Sequence, residues 1–181
     1  MNNAEDLEKR VAALESKVAH VPSENRLCLI CFSGDLDKVI SSFILATGAA
    51  ASGMKVTLFF TFWGVSALKK KKLPKVEKTF LQRMFAMMLP KRSEKLPLSQ
   101  LNMGGIGAKL IRHIMKTEKV ASLEEMMEAA EALDVEINVC EMTMGLLGIK
   151  KEEIMDYSNL KYCGVASFID KASKGKMSMY I

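Results

Sequence analysis

The feature that most constrains the fold is the run RLCLICF at residues 26–32, which is apolar throughout after its first residue. A strand without polar alternation is typical of a parallel sheet covered on both faces. Residues 35–52 then form a predicted helix, and the β-branched and aromatic segment at residues 55–64 forms a second strand. Two parallel strands joined by a helix make a βαβ unit with a right-handed crossover. The beginning of the chain therefore predicts an α/β domain.

The rest of the chain continues the alternation of helices and strands. Ser122 and Glu125 have the S-x-x-E spacing of a capping box, which predicts the start of a helix. Further apolar patterns predict helices near residues 76–88, 108–116 and 165–172, and strands at residues 135–140, 161–163 and 177–181. Together these elements predict a three-layer α/β/α sandwich with a five-stranded, mostly parallel sheet.

Two segments lie outside this alternation. Residues 1–22 hold a heptad helix, whose apolar seam is Leu7, Val11, Leu14 and Val18. This short helix either packs on its own domain or joins subunits, and the domain proper is expected at residues 23–181. Residues 69–97 form a basic, Met-rich insertion with a helix, in which residues 69–95 carry ten basic and two acidic side chains, against a net charge of +5 for the whole chain.

Composition restricts the functional classes. With 49% hydrophobic and 26% charged residues, a chain of 181 residues suits one globular domain. No apolar stretch reaches the ~18 residues that span a bilayer, and the first residues do not form a signal peptide, so we expect a cytoplasmic protein. The excess basic charge is confined to one segment, which argues against nucleic-acid binding. The two histidines lie far apart in sequence, and the single C-x-x-C pair, Cys28 and Cys31, lies within a strand, where alternation puts the two thiols on opposite faces. The spaced Cys/His ligand sets of a structural metal site are therefore absent, and no cofactor is expected.

The strongest candidate for chemistry is Cys140, the last residue of the third predicted strand. Ligands of open parallel sheets bind at the carboxyl ends of the strands. A helix beginning directly after Cys140 would favour its thiolate, whereas the adjacent Glu141 opposes this. Cysteine is also among the most buried residue types, so Cys140 could instead fill the core. Cys163 ends the fourth strand and is either structural or a resolving thiol.

Other residues near the strand ends are candidates for the wall of a binding pocket. They are Ser33, Gly34, Asp35, Thr61, Trp63, Gly64, Glu141, Met142 and Thr143, together with Asn102, Gly104 and Gly105 from a glycine-rich segment. The start of the second helix resembles a phosphate-binding position, but its acidic residues repel phosphate, and no glycine-rich nucleotide motif is present.

Several stretches together resemble the DsrE/DsrF-like family, in its DsrE2 branch. They are CFSGDLDK (31–38), FFTFWG (59–64), LSQLNMGGIG (98–107), SLEEMMEAA (122–130), VCEMTMGLLGIKKEEI (139–154) and YCGVASFID (162–170). The resemblance covers residues 25–181 and implies an α/β/α sandwich that forms homo-oligomers and takes part in sulfur trafficking.

The resemblance also assigns roles to individual residues. It implies that Cys140 carries sulfur as a persulfide, with Thr143 where the family motif usually has serine and Gly145 where an acid is common. It implies the strand order 4-3-2-1-5, which separates Cys31 from Cys140 by one strand and places Cys163 beside Cys140. We therefore predict that mild oxidation forms a Cys140–Cys163 disulfide.

Three functional hypotheses follow from the sequence. The first is a sulfur carrier, or a sulfurtransferase-like enzyme, that exchanges sulfur with the thiol of a donor or acceptor protein. The second is a non-catalytic binding or scaffold module that docks a partner, or less favourably a membrane surface, through residues 69–92. The third, a small-ligand or nucleotide binder at Gly34 and Gly104, is disfavoured by the acidic helix start.

Overall fold

The computed structural model describes residues 3–18, 21–74, 76–90 and 93–181. Its sheet has five strands: β1 (Glu24–Cys31), β2 (Lys55–Phe60), β3 (Glu136–Cys140), β4 (Leu160–Cys163) and β5 (Gly175–Tyr180). The strand order is β4-β3-β2-β1-β5, and all four pairings are parallel. The predicted sheet and its implied order are confirmed. All five carboxyl ends therefore lie along one edge.

Helices cover both faces of this sheet, which confirms the three-layer α/β/α class. The helices of the described residues are α1 (Asn3–Val18), α2 (Leu36–Ala51), α3 (Phe80–Met88), α4 (Ile106–Thr117), α5 (Leu123–Ala132), α6 (Glu141–Leu147) and α7 (Val165–Lys174). Helices α2 and α5 pack against each other and contribute to the larger core, whereas α7 lies on the other face. The predicted capping box is present, since the Ser122 hydroxyl accepts from the Glu125 N–H.

The two faces of the sheet bury different side chains, because successive residues of a strand point in opposite directions. Cys31 belongs to the large core under α2, together with Leu29 and Phe60. Cys28 and Cys140 lie in a second, smaller core with Phe59 and Phe168. The rings of Phe59 and Phe168 stack with their centroids 4.9 Å apart, which fixes α7 to the sheet. Cys140 therefore shares a face with Cys28 and not with Cys31.

The second strand ends earlier than the sequence predicts, at Phe60, and residues Phe62–Leu68 form a 3₁₀ helix. Phe62 has a positive φ of 44°, which breaks the strand. The Thr61 N–H donates to the Cys31 carbonyl (3.1 Å) and the Gly64 N–H to the Phe32 carbonyl (2.9 Å), so the segment folds back over the end of β1. A Cβ on Gly64 would stand 2.2 Å from the Cys31 carbonyl oxygen, so only glycine fits there.

The basic insertion is tied to the body of the domain by ion pairs. Lys78 and Glu153 form a salt bridge of 2.7 Å, and both side chains are buried. Lys69 is also buried, and this burial lowers its pKa to about 8, although Glu153 opposes the shift. The four consecutive lysines at residues 69–72 are therefore not all exposed to solvent. Lys75, Lys91 and Arg92 of the insertion lie outside the described residues, as do the side chains of Val18 and Met87.

The described part of α1 presents its seam to solvent, since Leu7, Val11 and Leu14 are all exposed. None of the described helices has the length and hydropathy that a bilayer crossing requires.

Candidate functional site

Cys140 ends β3 and serves as the N-cap residue of α6, so its sulfur lies at the carboxyl edge of the sheet where a helix begins. The residue is 3% exposed. Its position combines the two alternatives that the sequence left open, because the side chain packs in the small core and yet adjoins the first N–H groups of a helix. These N–H groups would otherwise lack partners, and they are good donors to an anion.

Thr143 organises the surroundings of this sulfur. Its side chain is completely buried, and its hydroxyl lies 3.0 Å from the Thr61 hydroxyl. The Phe62 N–H donates to the same Thr143 oxygen at 3.1 Å. One hydroxyl on α6 therefore binds the segment that follows β2, and it brings Thr61 beside Cys140. Thr61 and Thr143 were both predicted from the sequence as pocket-wall residues, and the structure joins their hydroxyls in one hydrogen-bonded group.

The local hydrogen bonds decide the acidity of Cys140. Burial raises the pKa of the Cys140 thiol, but hydrogen bonds from the Thr143 hydroxyl and N–H, the Thr61 hydroxyl and the Met142 N–H outweigh burial, so the pKa is lowered. The sequence predicts that the negative charge of Glu141 opposes the thiolate. In the structure the Glu141 carboxylate pairs with the Lys151 ammonium at 3.3 Å. The site thus stabilises a thiolate, which is the nucleophilic form of cysteine.

The other three cysteines lack this environment. Burial raises the pKa of Cys31 to about 12, although a hydrogen bond with Ser42 opposes the shift. Burial also raises the pKa of Cys28 and of Cys163. All four cysteines lie within the described residues and are free thiols. Cys140 is therefore the one whose thiolate is the most populated at neutral pH.

We expect Thr143→Val to raise the pKa of Cys140 and to shift the pH profile of its alkylation by iodoacetamide to higher pH. The substitution removes a hydroxyl that bonds to the sulfur, and it leaves the part-buried Phe62 N–H without its acceptor. The free energy of unfolding should fall by about 1–3 kcal/mol. Thr143→Ser keeps the hydroxyl and is the matched control. A Thr143→Val profile that overlays the wild-type profile would show that the hydroxyl does not tune the thiol.

Cys163 is the register partner of Cys140 across β3 and β4. Adjacent strands are about 4.8 Å apart, which lies within the Cα separation that a disulfide spans. Cys31 points into the opposite core, and β2 lies between its strand and β3. The Cys140–Cys163 disulfide stays our prediction for mild oxidation. Peptide mapping after treatment with a mild oxidant checks it, and a Cys31–Cys140 peptide would contradict it.

The remaining predicted pocket residues do not form one pocket with Cys140. Ser33, Gly34, Asp35 and Trp63 line an apolar cavity of about 320 Å³, with Phe85 and Met88 of α3 on its other side. Asn102, Gly104 and Gly105 line a separate cavity of about 380 Å³ near the start of α4. Thr61, Glu141, Met142 and Thr143 lie around Cys140 itself, and Gly64 closes the contact with β1. The candidates thus fall into three groups, one around Cys140 and two at separate cavities.

The sequence reasoning missed a third cavity, of about 520 Å³, beside Cys163. It is lined by Asn138, Lys151, Lys161, Tyr162, Ser167 and Lys171, as well as by Leu160 and Cys163. The signal was available in the strand EINVC, where an asparagine interrupts an apolar run at a buried position. Among the described residues, no group of three or more His, Cys, Asp or Glu side chains could hold a metal ion.

The sequence of this chain is similar to those of known proteins. A sequence profile of the DsrE/DsrF/DrsH-like family matches residues 23–180. The uncharacterized protein YrkE of Bacillus subtilis is 40% identical over 156 residues, which cover 86% of this chain and 96% of YrkE. The sulfur carrier protein DsrE2 of Allochromatium vinosum is 35% identical over 162 residues, which cover 87% of this chain and 99% of that protein.

Proposed function

Since this chain belongs to the DsrE/DsrF/DrsH-like family, we propose that it is a sulfur carrier that holds sulfur as a persulfide on Cys140. The similarity to a protein named as a sulfur carrier supports a role in sulfur relay. The observation that carries the proposal is the lowered pKa of Cys140 within the Thr61–Thr143 hydrogen-bonded group. A persulfide carrier needs a thiolate to accept sulfur and a good leaving group to release it.

The geometry supports both halves of such a cycle. In loading, the Cys140 thiolate attacks the outer sulfur of a donor persulfide R–S–SH. The donor's S–S bond breaks, Cys140–S–SH forms, and R–S⁻ leaves. In discharge, the thiolate of a partner protein attacks the outer sulfur of Cys140–S–SH, and the Cys140 thiolate leaves. The donors from Thr61, Met142 and Thr143 stabilise that leaving thiolate. No net oxidant is consumed, and the same chemistry serves a carrier or a sulfurtransferase.

Loading and discharge of the intact chain test this proposal. After incubation with a persulfide donor and removal of the excess, we expect a mass gain of about 32 Da, one sulfur atom, on the peptide that contains Cys140. Addition of a second protein thiol should return the mass to its starting value. Sulfur found on another cysteine, or sulfur on Cys140 that no thiol can remove, would argue against a carrier.

A second candidate function is docking of a partner protein through α3. Phe80 and Met88 of this helix are 81% and 76% exposed, and Leu81 is exposed beside them. Such a cluster of large apolar side chains on one helix is typical of a protein contact. This surface would serve a carrier that meets a partner thiol, and it would equally serve a scaffold in which Cys140 is inert.

We expect no salt-sensitive binding of the chain to anionic vesicles, although the insertion is basic. Lys69 is buried, Lys70 pairs with Asp156 at 2.8 Å, and Lys71 pairs with Glu94 at 3.2 Å. These lysines therefore offer less charge to a lipid surface than their number suggests. Co-sedimentation with phosphatidylserine vesicles at low and physiological salt measures this. Binding that is lost with salt and abolished in Phe80→Ser would favour the membrane alternative instead.

We also propose that the chain forms homo-oligomers in the cytoplasm, with residues 1–22 as a segment that joins subunits. The exposed seam of α1 supports this, because a helix of about two heptads is marginal without a partner. Four free thiols are in keeping with a reducing compartment. Sedimentation velocity of the full chain and of a chain without residues 1–22 tests the assembly, and identical sedimentation states would exclude the segment from it.

A further inference from the structure

The cavity beside Cys163 contains a buried amide without a partner. The Asn138 side chain is 1% exposed, and neither its Nδ2 nor its Oδ1 has a hydrogen-bond partner among the described residues. Buried polar groups are nearly always paired, so an unpaired amide that lines a cavity calls for a ligand. Because an amide is both a donor and an acceptor, its full complement is a group that can accept one hydrogen bond and donate another.

The charges around Asn138 favour one anionic group. Lys161 is its register partner across β3 and β4, and both Lys161 and Lys171 pair with Glu136, the former at 3.0 Å. Lys151 pairs with Glu141, and its ammonium also lies 4.6 Å from the centre of the Tyr162 ring. Three ammonium groups therefore face two carboxylates. The remaining positive charge suits a ligand with a single carboxylate.

The sulfur chemistry of the site lies at the same place. Cys163 lines the cavity, and Cys140 is its register partner on β3. Asn138 and Cys140 lie two positions apart on one strand and so point to the same face. A ligand could bind Asn138 and Lys161 through its polar end. If its sulfur were separated from that end by a short side chain, the sulfur would lie towards the two thiols. A sulfate ion would leave the Asn138 oxygen unpaired, since it offers acceptors only.

We propose that this cavity binds the amino-acid end of a small cysteine-based thiol or persulfide, with its carboxylate on the lysines, its N–H group on Asn138, and its sulfur towards Cys140 and Cys163. Free cysteine and short cysteine peptides share this chemistry. The sulfur step rests on the proposed function: the Cys140 thiolate takes the outer sulfur of R–S–SH, the S–S bond of the donor breaks, and R–S⁻ leaves. The binding step does not depend on it.

Binding of S-methyl-L-cysteine, which has no reactive thiol, tests the cavity separately from sulfur transfer. Chemical-shift titration of the full chain should show saturable binding, with a dissociation constant on the order of 1 mM for so small a ligand. Asn138→Leu should weaken binding about ten-fold or more, as should a ligand without the carboxylate, 2-(methylthio)ethylamine. The matched control is Ser66→Ala. It also removes a buried polar group without a partner, here a hydroxyl, but it lies at the apolar cavity near Trp63.

Stability and loading measurements separate the outcomes. Asn138→Leu should keep or raise the unfolding midpoint, because it replaces an unpaired buried amide with an apolar side chain that branches at the same atom. Should that variant fail to fold, Lys161→Gln, whose side chain is more than half exposed, should still show the weakened binding. Cys140→Ser should fail to load sulfur and yet still show saturable binding of S-methyl-L-cysteine, because Asn138 and the lysines are intact, so each proposal can fail alone.

Three results would overturn the inference. The first is wild-type affinity of Asn138→Leu for S-methyl-L-cysteine. The second is full displacement of the ligand by sulfate at equal concentration, which would show a general anion site. The third is a change in the sedimentation state of Asn138→Leu, which would assign the amide to a contact between copies of the chain. Displacement of S-methyl-L-cysteine by S-methylglutathione would show that the site also binds short cysteine peptides, and it would support the inference.

Discussion

A Cys140→Ser variant is expected to take up no sulfur from a persulfide donor at neutral pH. Of the four cysteines, Cys140 alone has a thiol whose pKa is lowered, whereas the pKa values of the other three are raised by burial. A serine hydroxyl is not a nucleophile at this pH without a base, so the loss should be complete and not partial. Intact mass and peptide mapping after identical loading of wild type and variant measure it.

Cys163→Ser is the control for this result. Its thiol lies beside Cys140, and burial raises its pKa, so the variant should load at nearly the wild-type level. If Cys140→Ser kept the added sulfur and Cys163→Ser lost it, the carrier would be the residue of β4. If both variants lost half of the sulfur, the two thiols would act as a pair, and the asymmetry of their pKa values would not govern loading.

Gly64→Ala is expected to destabilise the fold by about 3 kcal/mol. The added Cβ would lie 2.2 Å from the Cys31 carbonyl oxygen and 3.0 Å from its carbon, and both atoms belong to the backbone at the end of β1. That carbonyl also accepts the Thr61 N–H, so the two segments cannot separate without losing this bond. Urea denaturation followed by circular dichroism measures the free energy of unfolding.

Gly145→Ala provides the opposite expectation in the same experiment. Gly145 lies inside α6, and a Cβ added there would meet no described atom within 4 Å outside its own helix turn. Alanine in a helix interior should stabilise the chain by about 0.5–1 kcal/mol. A Gly64→Ala variant as stable as Gly145→Ala would show that the strand-end segments are not packed as described. The space at Gly145 also leaves room for the acid that the family motif usually carries there.

The sequence predicted the sheet and the place of Cys140 because both depend on local patterns. Continuous apolar runs specify buried strands, and a cysteine that ends such a run must lie at the sheet edge. The early end of β2 was missed, since it depends on Gly64 meeting a carbonyl of another strand. The acidity of Cys140 was also undetermined, because the Thr61–Thr143 contact joins residues 82 positions apart.

The burial of Lys69 and the unpaired amide of Asn138 were missed for a related reason. A lysine run is solvated by default, and only the packing of the insertion against Glu153 shows otherwise. An asparagine in a short strand is ordinary until its neighbours prove unable to pair with it. Long-range contacts of polar groups, unlike apolar periodicity, leave little trace in the local sequence.

The Thr61–Thr143 contact has a practical consequence, since the only tryptophan of the chain, Trp63, follows Thr61 by two residues. Trp63 is about half exposed, and its backbone closely approaches Gly34. A change of charge or size on the Cys140 sulfur reaches this segment through the hydroxyl of Thr61. The indole is therefore a natural fluorophore two residues from a hydroxyl that bonds to the Cys140 sulfur, and we expect its emission to report without a label whether the sulfur is protonated, ionised or loaded.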